Sequence, residues 1–236
     1  MKNKILAVLV CAAVMLTTGC SSRSDILSDF FASSGNNSSS AVISRSEKSE
    51  EPQTPQSMDK FSHGKTSGTV YASEFLGVRA QFPDDWTFLD DSYLAQQNNI
   101  ADMTDKSVSA ALNSVGALFE MIVRSDGVAN INIIVQNLDV TNGGRALDAD
   151  TYLDFSLDVV KEQYNAAGID LLKAERSTAI FLGKNQSCTY IKLSNHGTSM
   201  VQKGFLISRG KYLATVTFTG ESDAEVSLLI DLFMSL

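Results

Sequence analysis

Histidine, cysteine, proline and tryptophan are all scarce in these 236 residues, with two, three, three and one copies. Past the amino-terminal signal and the Ser-rich stretch the domain holds one histidine, His196, and one cysteine, Cys188, which cannot supply a three- or four-ligand zinc site without several carboxylates, so no metal ligand set and no cofactor is expected. A disulfide framework is excluded too. Cys11 lies inside an amino-terminal apolar run and Cys20 closes it, which leaves Cys188 without an intramolecular partner. Cys188 stands in the alternating run Ser187-Cys188-Thr189-Tyr190-Ile191 and is read as a small packing residue of a strand. A Ser-His-Asp hydrolase needs an imidazole held on its nucleophile. His63 falls in a Ser-rich stretch and is read as solvated, and His196 falls in the turn Asn195-His196-Gly197-Thr198. Neither a Gly-x-Ser-x-Gly elbow nor a Gly-x-x-x-x-Gly-Lys phosphate loop occurs.

The chain also lacks a basic surplus and a long apolar run. Its net charge is −8, and residues 71–236 alone hold 12 basic against 21 acidic side chains. A nucleic-acid partner needs the opposite balance, because basic surface supplies the attraction to phosphates. The longest apolar run, residues 5–16, has twelve members, whereas a transmembrane helix needs ~20. Lys2 and Lys4 before that run, and small residues after it, make residues 1–19 a secretory signal.

The sequence Thr17-Thr18-Gly19-Cys20 at its end resembles a bacterial lipoprotein signal, with Thr17 where that family usually carries Leu, Val or Ile. The resemblance implies that the Cys20 thiol takes diacylglycerol and that cleavage makes Cys20 the first residue of a palmitate-type lipoprotein. Two acyl chains anchor durably where one anchors marginally. The partner implied is the membrane, and the location is the outer face of a bacterial cell membrane. Loss of the two signal lysines would leave the mature chain near −10.

Residues 20–68 read as a disordered tether. The 50 residues from 21 to 70 hold 15 serines with Pro52 and Pro55, and such a segment buries too little to offset its ordering entropy. As a flexible coil it reaches ~40 Å. Residues 69–236 are then one domain, large enough for a core without staples.

Within that domain, residues 78–82 form a strand that exits at Pro83-Asp84-Asp85-Trp86. Residues 92–114 read as helix in two pieces around Asp102 to Asp105. Strands at 117–123 and 129–138 flank the hairpin signal Arg124-Ser125-Asp126-Gly127. Asp148 or Asp150 caps a helix over 149–166, which Gly168 stops and which has an apolar stripe of Tyr152, Phe155, Val159 and Tyr164. Four strands follow, at 170–178, 186–194, 199–208 and 211–219, joined so tightly that neighbours must be antiparallel. Ser222 with Glu225 is a capping box, and Val226, Leu229, Ile230 and Phe233 give the final helix its buried face. A block of strands closed by a helix is α+β.

The motif Phe82-Pro83-Asp84-Asp85-Trp86 and the strand from Tyr212 to Phe218 with its following helix resemble PsbP-like domains. The resemblance implies an α/β/α sandwich with a mostly antiparallel sheet, and an accessory or binding role without chemistry.

Two carboxylate groups, Asp84, Asp85, Asp90 and Asp91, and Asp148, Asp150 and Asp154, have the oxygen chemistry of calcium sites but not the spacing of a calcium loop. They read as helix starts. Trp86 reads as a core anchor. The remaining candidate is a surface: strands 129–136 and 212–219 each alternate apolar with polar residues. If the polar sides meet, Asn130, Asn132, Thr215 and Thr217 make a hydrogen-bonding floor for a ligand; the alternative is a solvated or helix-covered face. The expected function is therefore a lipid-anchored extracytoplasmic binding or accessory domain, not an enzyme, whose protein or small-molecule partner the residues do not name. An enzyme using paired carboxylates on envelope polymers, and a structural component of the envelope, are the alternatives.

Overall fold

A computed structural model describes residues 60–144, 148–195 and 197–236. The proposed signal, Cys20, most of the tether and His196 lie outside the described residues. Eleven strands and five helices are described. A seven-stranded sheet runs in the order β4 (Thr87–Phe88), β5 (Ala117–Arg124), β6 (Asn130–Asn137), β10 (Tyr212–Gly220), β9 (Thr198–Arg209), β8 (Lys184–Asn195) and β7 (Asp170–Phe181). A smaller sheet runs β1 (Lys65–Ser67), β2 (Val70–Ser73), β3 (Val78–Gln81) and β11 (Phe233–Ser235). All described pairings are antiparallel, so the fold is α+β as the strand order implies.

Side-chain alternation sorts the large sheet into two faces. On β10, Tyr212, Ala214, Val216 and Phe218 point toward the small sheet, where Phe218 meets Phe233 edge-on at 5.2 Å. Phe82, Phe181 and Phe205 complete this aromatic core, with α5 (Asp223–Asp231) packed on it through Val226, Leu229 and Ile230. The opposite face, marked by Leu213, packs under α4 (Ala149–Ala166) with Ile191, Leu193 and Met200. Two further helices, α1 (Asp91–Gln97) and α2 (Asp105–Ser114), lie against β5, and a short α3 (Leu138–Thr141) follows β6.

Local chemistry sets the ends of these elements. Asp148 accepts from the Thr151 N–H at 3.0 Å and starts α4, while Gly168, at φ +69°, ends it with Ile169 N–H bonded to the Tyr164 carbonyl at 2.9 Å. The buried stripe of α4 is Tyr152, Leu153, Leu157, Val160 and Tyr164; Phe155 and Val159, expected inside, are only half-buried at its flank. Leu182 and Gly183 both take positive φ, 51° and 74°, so the β7–β8 turn falls there and Lys184 already belongs to β8. Ser222 caps α5 by accepting from the Glu225 N–H at 3.2 Å. That helix stops at Asp231, and Phe233 enters β11 instead.

Two expectations are corrected at the amino-terminal end. Phe61 is fully buried between the rings of Phe75 and Tyr212, at 4.9 and 5.8 Å, and residues 65–67 pair with β2. Residues 61–67 are thus a strap on the domain and not tether. His63 is correspondingly not solvated.

Candidate functional site

β5 and β6 pair regularly except between Phe119 and Met121, where Glu120 is left over as a bulge. The bulge turns Glu120 into the protein, where it is almost wholly excluded from solvent. A buried carboxylate needs partners, and the strap provides most of them. Glu120 Oε2 lies 2.8 Å from His63 Nδ1, and Oε1 accepts from the Gly64 N–H and, at 3.2 Å, from the Tyr71 hydroxyl. The strap is fixed a second time by the His63 N–H, which donates to Asp105 Oδ1 at 2.8 Å at the start of α2. Gly64 is required here by contact: a Cβ would stand 2.6 Å from the Tyr71 ring.

Electrostatics at His63 is a contest. Burial lowers its pKa, but the hydrogen bond to Glu120 and the charges of Glu120, Asp91 and Asp105 raise it further, and the net shift is upward. Burial and the adjacent Glu120 charge hold the Tyr71 hydroxyl well above its usual range, so it stays a donor. With Nδ1 given to Glu120, His63 Nε2 faces Asp91 at 3.9 Å. These groups wall a cavity of about 250 Å³ that also takes in Lys65, Phe88 and Leu94. A second, more open groove of about 530 Å³ runs between α1 and the loop into α2 and shares Asp91 as its rim.

The residues expected to form a ligand floor are brought together but not exposed. Asn132 and Thr217 are direct cross-strand partners, Asn130 lies two positions further along opposite Thr219, and Thr215 precedes Thr217 on the same side. All four are buried, on the face that carries α4. The open hydrogen-bonding surface is thus corrected to a covered polar layer. Its ends are closed by the two tyrosines of α4: Gln136 Nε2 donates to the Tyr152 hydroxyl at 2.7 Å, and the Tyr164 hydroxyl donates to Gln202 at 2.7 Å.

The aspartate groups act locally. Asp90 caps α1 and Asp148 caps α4, while Asp150 and Asp154 both pair with Arg176, at 3.2 and 3.1 Å. Cys188 is fully buried, and burial pushes its thiol up to about 11, far from a reactive thiolate at neutral pH. Trp86 packs half-buried against Phe82 at 5.7 Å. Sequence reasoning missed the His63–Glu120 pair, although the lone Glu among apolar residues in Leu118-Phe119-Glu120-Met121-Ile122 is a legible signal of a buried charge.

No family model and no curated protein matches the chain. Among solved structures it is similar to the cyanobacterial PsbP of Synechocystis sp. PCC 6803, at 12% identity and a TM-score of 0.40, over 72% of this chain and 95% of that one. It is similar to LpqN of Mycobacterium tuberculosis, a protein involved in cell envelope biogenesis, at 11% identity and 0.33, over 66% of this chain and 82% of that one. A Bacteroides thetaiotaomicron protein matches at 13% identity and 0.33 over 72% of this chain, which spans about half, 49%, of that structure.

Proposed function

We propose that this chain is a lipid-anchored extracytoplasmic binding or accessory domain, held by Cys20 on the outer face of a bacterial cell membrane, without catalytic activity. The observation that carries the binding reading is the cavity at the strap. Its one deeply buried carboxylate, Glu120, has its oxygens occupied by His63, Gly64 and Tyr71, so it holds the wall together and is not poised as a free base. No Ser or Cys is among the described residues lining the cavity, and its other walls mix charged with apolar groups, the composition of a small-ligand site. The anchoring half of the reading rests on the signal and Cys20.

Two experiments test it. Metabolic labelling with a radioactive fatty acid should mark the chain, and label persisting in Cys20→Ala removes the anchor. Affinity capture from membranes, with the intact chain as bait, should recover a partner that is lost with His63→Ala and with Asp91→Ala, a rim substitution that disturbs no core contact. Equal recovery by both variants removes the cavity from the reading. Turnover of envelope polymer by the purified chain, abolished in Glu120→Gln, would replace binding with catalysis.

A further inference from the structure

At the polar end of the strap cavity, most groups are already spent. Glu120 serves His63 Nδ1, the Gly64 N–H and the Tyr71 hydroxyl, and Asp105 serves the His63 N–H. His63 Nε2 and Asp91 Oδ1 remain, 3.9 Å apart. That exceeds the ~2.7–3.2 Å of an N–H···O hydrogen bond, yet one oxygen atom ~2.8 Å from each fits between them. Because the Glu120 carboxylate only accepts, Nδ1 carries a proton, and in the charged ring Nε2 carries the second. A guest atom seated there must accept from Nε2 and donate to Asp91. Much of the other lining is apolar: Phe88 from β4, Leu94 from α1 and Met121 from β5, the last two almost wholly buried. An apolar cavity of about 150 Å³ accommodates a benzene ring. The strap cavity, at about 250 Å³, therefore holds one ring with a short polar arm.

We infer that the strap cavity takes a small neutral molecule of the alcohol class, an apolar body carrying a hydroxyl whose oxygen bridges His63 Nε2 and Asp91. This ligand class rests on the binding role proposed above for the same cavity. An ammonium cannot accept from the Nε2–H and meets a charged ring; a carboxylate cannot donate to Asp91 and meets its charge; a hydroxyl does both. Water does both too, but it leaves the Phe88, Leu94 and Met121 surfaces wet, which an apolar body relieves. The charges facing His63 are Glu120 of β5, Asp91 of α1 and Asp105 of α2, with Lys65 of β1 on the same cavity wall, while Tyr71 of β2 stays neutral. As pH rises through the raised pKa of His63, Nε2 loses its proton and becomes an acceptor. The single hydroxyl proton then serves either Nε2 or Asp91 but not both, so the guest binds more weakly.

The test is a titration of the isotopically labelled full chain at pH 6 with benzyl alcohol, benzylamine and sodium benzoate, three headgroups on one apolar body, followed at the His63 ring and Met121 methyl signals. Saturable shifts at both groups are expected with benzyl alcohol, at an affinity about tenfold or more above that of the other two. Asp91→Ala, at an exposed rim position, should weaken benzyl alcohol about tenfold, and raising the pH to 9 should weaken it in the unaltered chain. Benzylamine or benzoate binding as tightly as the alcohol overturns the hydroxyl class and leaves the cavity a ligand site. An affinity undiminished in Asp91→Ala, or one that rises toward pH 9, overturns the bridge. No saturable shift at either group with any probe overturns the inference as a whole, and the proposed function then stands or falls separately, on whether membrane capture is lost in His63→Ala and Asp91→Ala.

Discussion

Glu120 and His63 show how one residue's burial decides the chemistry of another 57 positions away. The bulge removes Glu120 from water, and the His63 imidazole then becomes its partner. The sign of the resulting pH dependence follows from the raised pKa of His63. A group raised on folding above its ordinary 6.5 contributes stability that is complete below that value and is lost as pH rises through the folded value. Urea midpoints measured from pH 6 to pH 9 should therefore fall on the alkaline side, and the corresponding slope should vanish in His63→Ala, which starts less stable throughout. A wild-type midpoint that rises across this window would contradict the pairing. The sequence showed both residues but not their meeting, because a long-range pair has no local signature. Asn130, Asn132, Thr215 and Thr217 were legible as a group, since alternation fixes a face; the helix that covers that face was legible only as a helix.

At the scale of elements, what could be read ahead was what depends on near neighbours. The α4 range and its Gly168 stop follow from residues within a few positions of each other and stand where the sequence puts them, while the structure decides the cap between Asp148 and Asp150 in favour of Asp148. The β7–β8 turn is tighter than strands at 170–178 and 186–194 imply, because the half-buried Leu182 is held at positive φ, a state that leucine's own preference does not announce. The strands β1, β2 and β11 are three or four residues long, too short for a periodic signal, and exist because tertiary pairing supports them. Gly168 gives a clean measurement. An added methyl there would have nothing within 4 Å, so Gly168→Ala tests the left-handed backbone alone and should cost about 1–2 kcal/mol in urea unfolding. Gly127→Ala, at a glycine without positive φ and with its nearest atom 3.6 Å from the new carbon, should be close to neutral. Equal costs at both sites would mean that the loss comes from something other than the α4 stop.

For the whole molecule, the deciding question is where the folded unit begins. Composition places the boundary at residue 69, because serine, proline and charge dominate up to there, and composition averages over a window. The structure carries the core across that line with two side chains. Phe61 fills the space between Phe75 and Tyr212, and His63 with the Gly64 N–H completes Glu120. A chain beginning at Thr69 would therefore lose a buried aromatic ring, a term of about 3–5 kcal/mol, and would also strand a buried carboxylate, a term of similar size. Together these approach the 5–15 kcal/mol that typically holds a domain folded, so the shorter chain should lack a cooperative thermal transition. A chain beginning at Lys60 keeps every one of these contacts and should melt as the full chain does. Glu120→Met in the shorter chain separates the two terms: by removing the stranded charge it should restore part of the transition, while the hole left by Phe61 remains. Equal melting of the chains beginning at Lys60 and Thr69 would show that the strap merely rests on the domain, and the cavity it walls would lose its claim to be a built site.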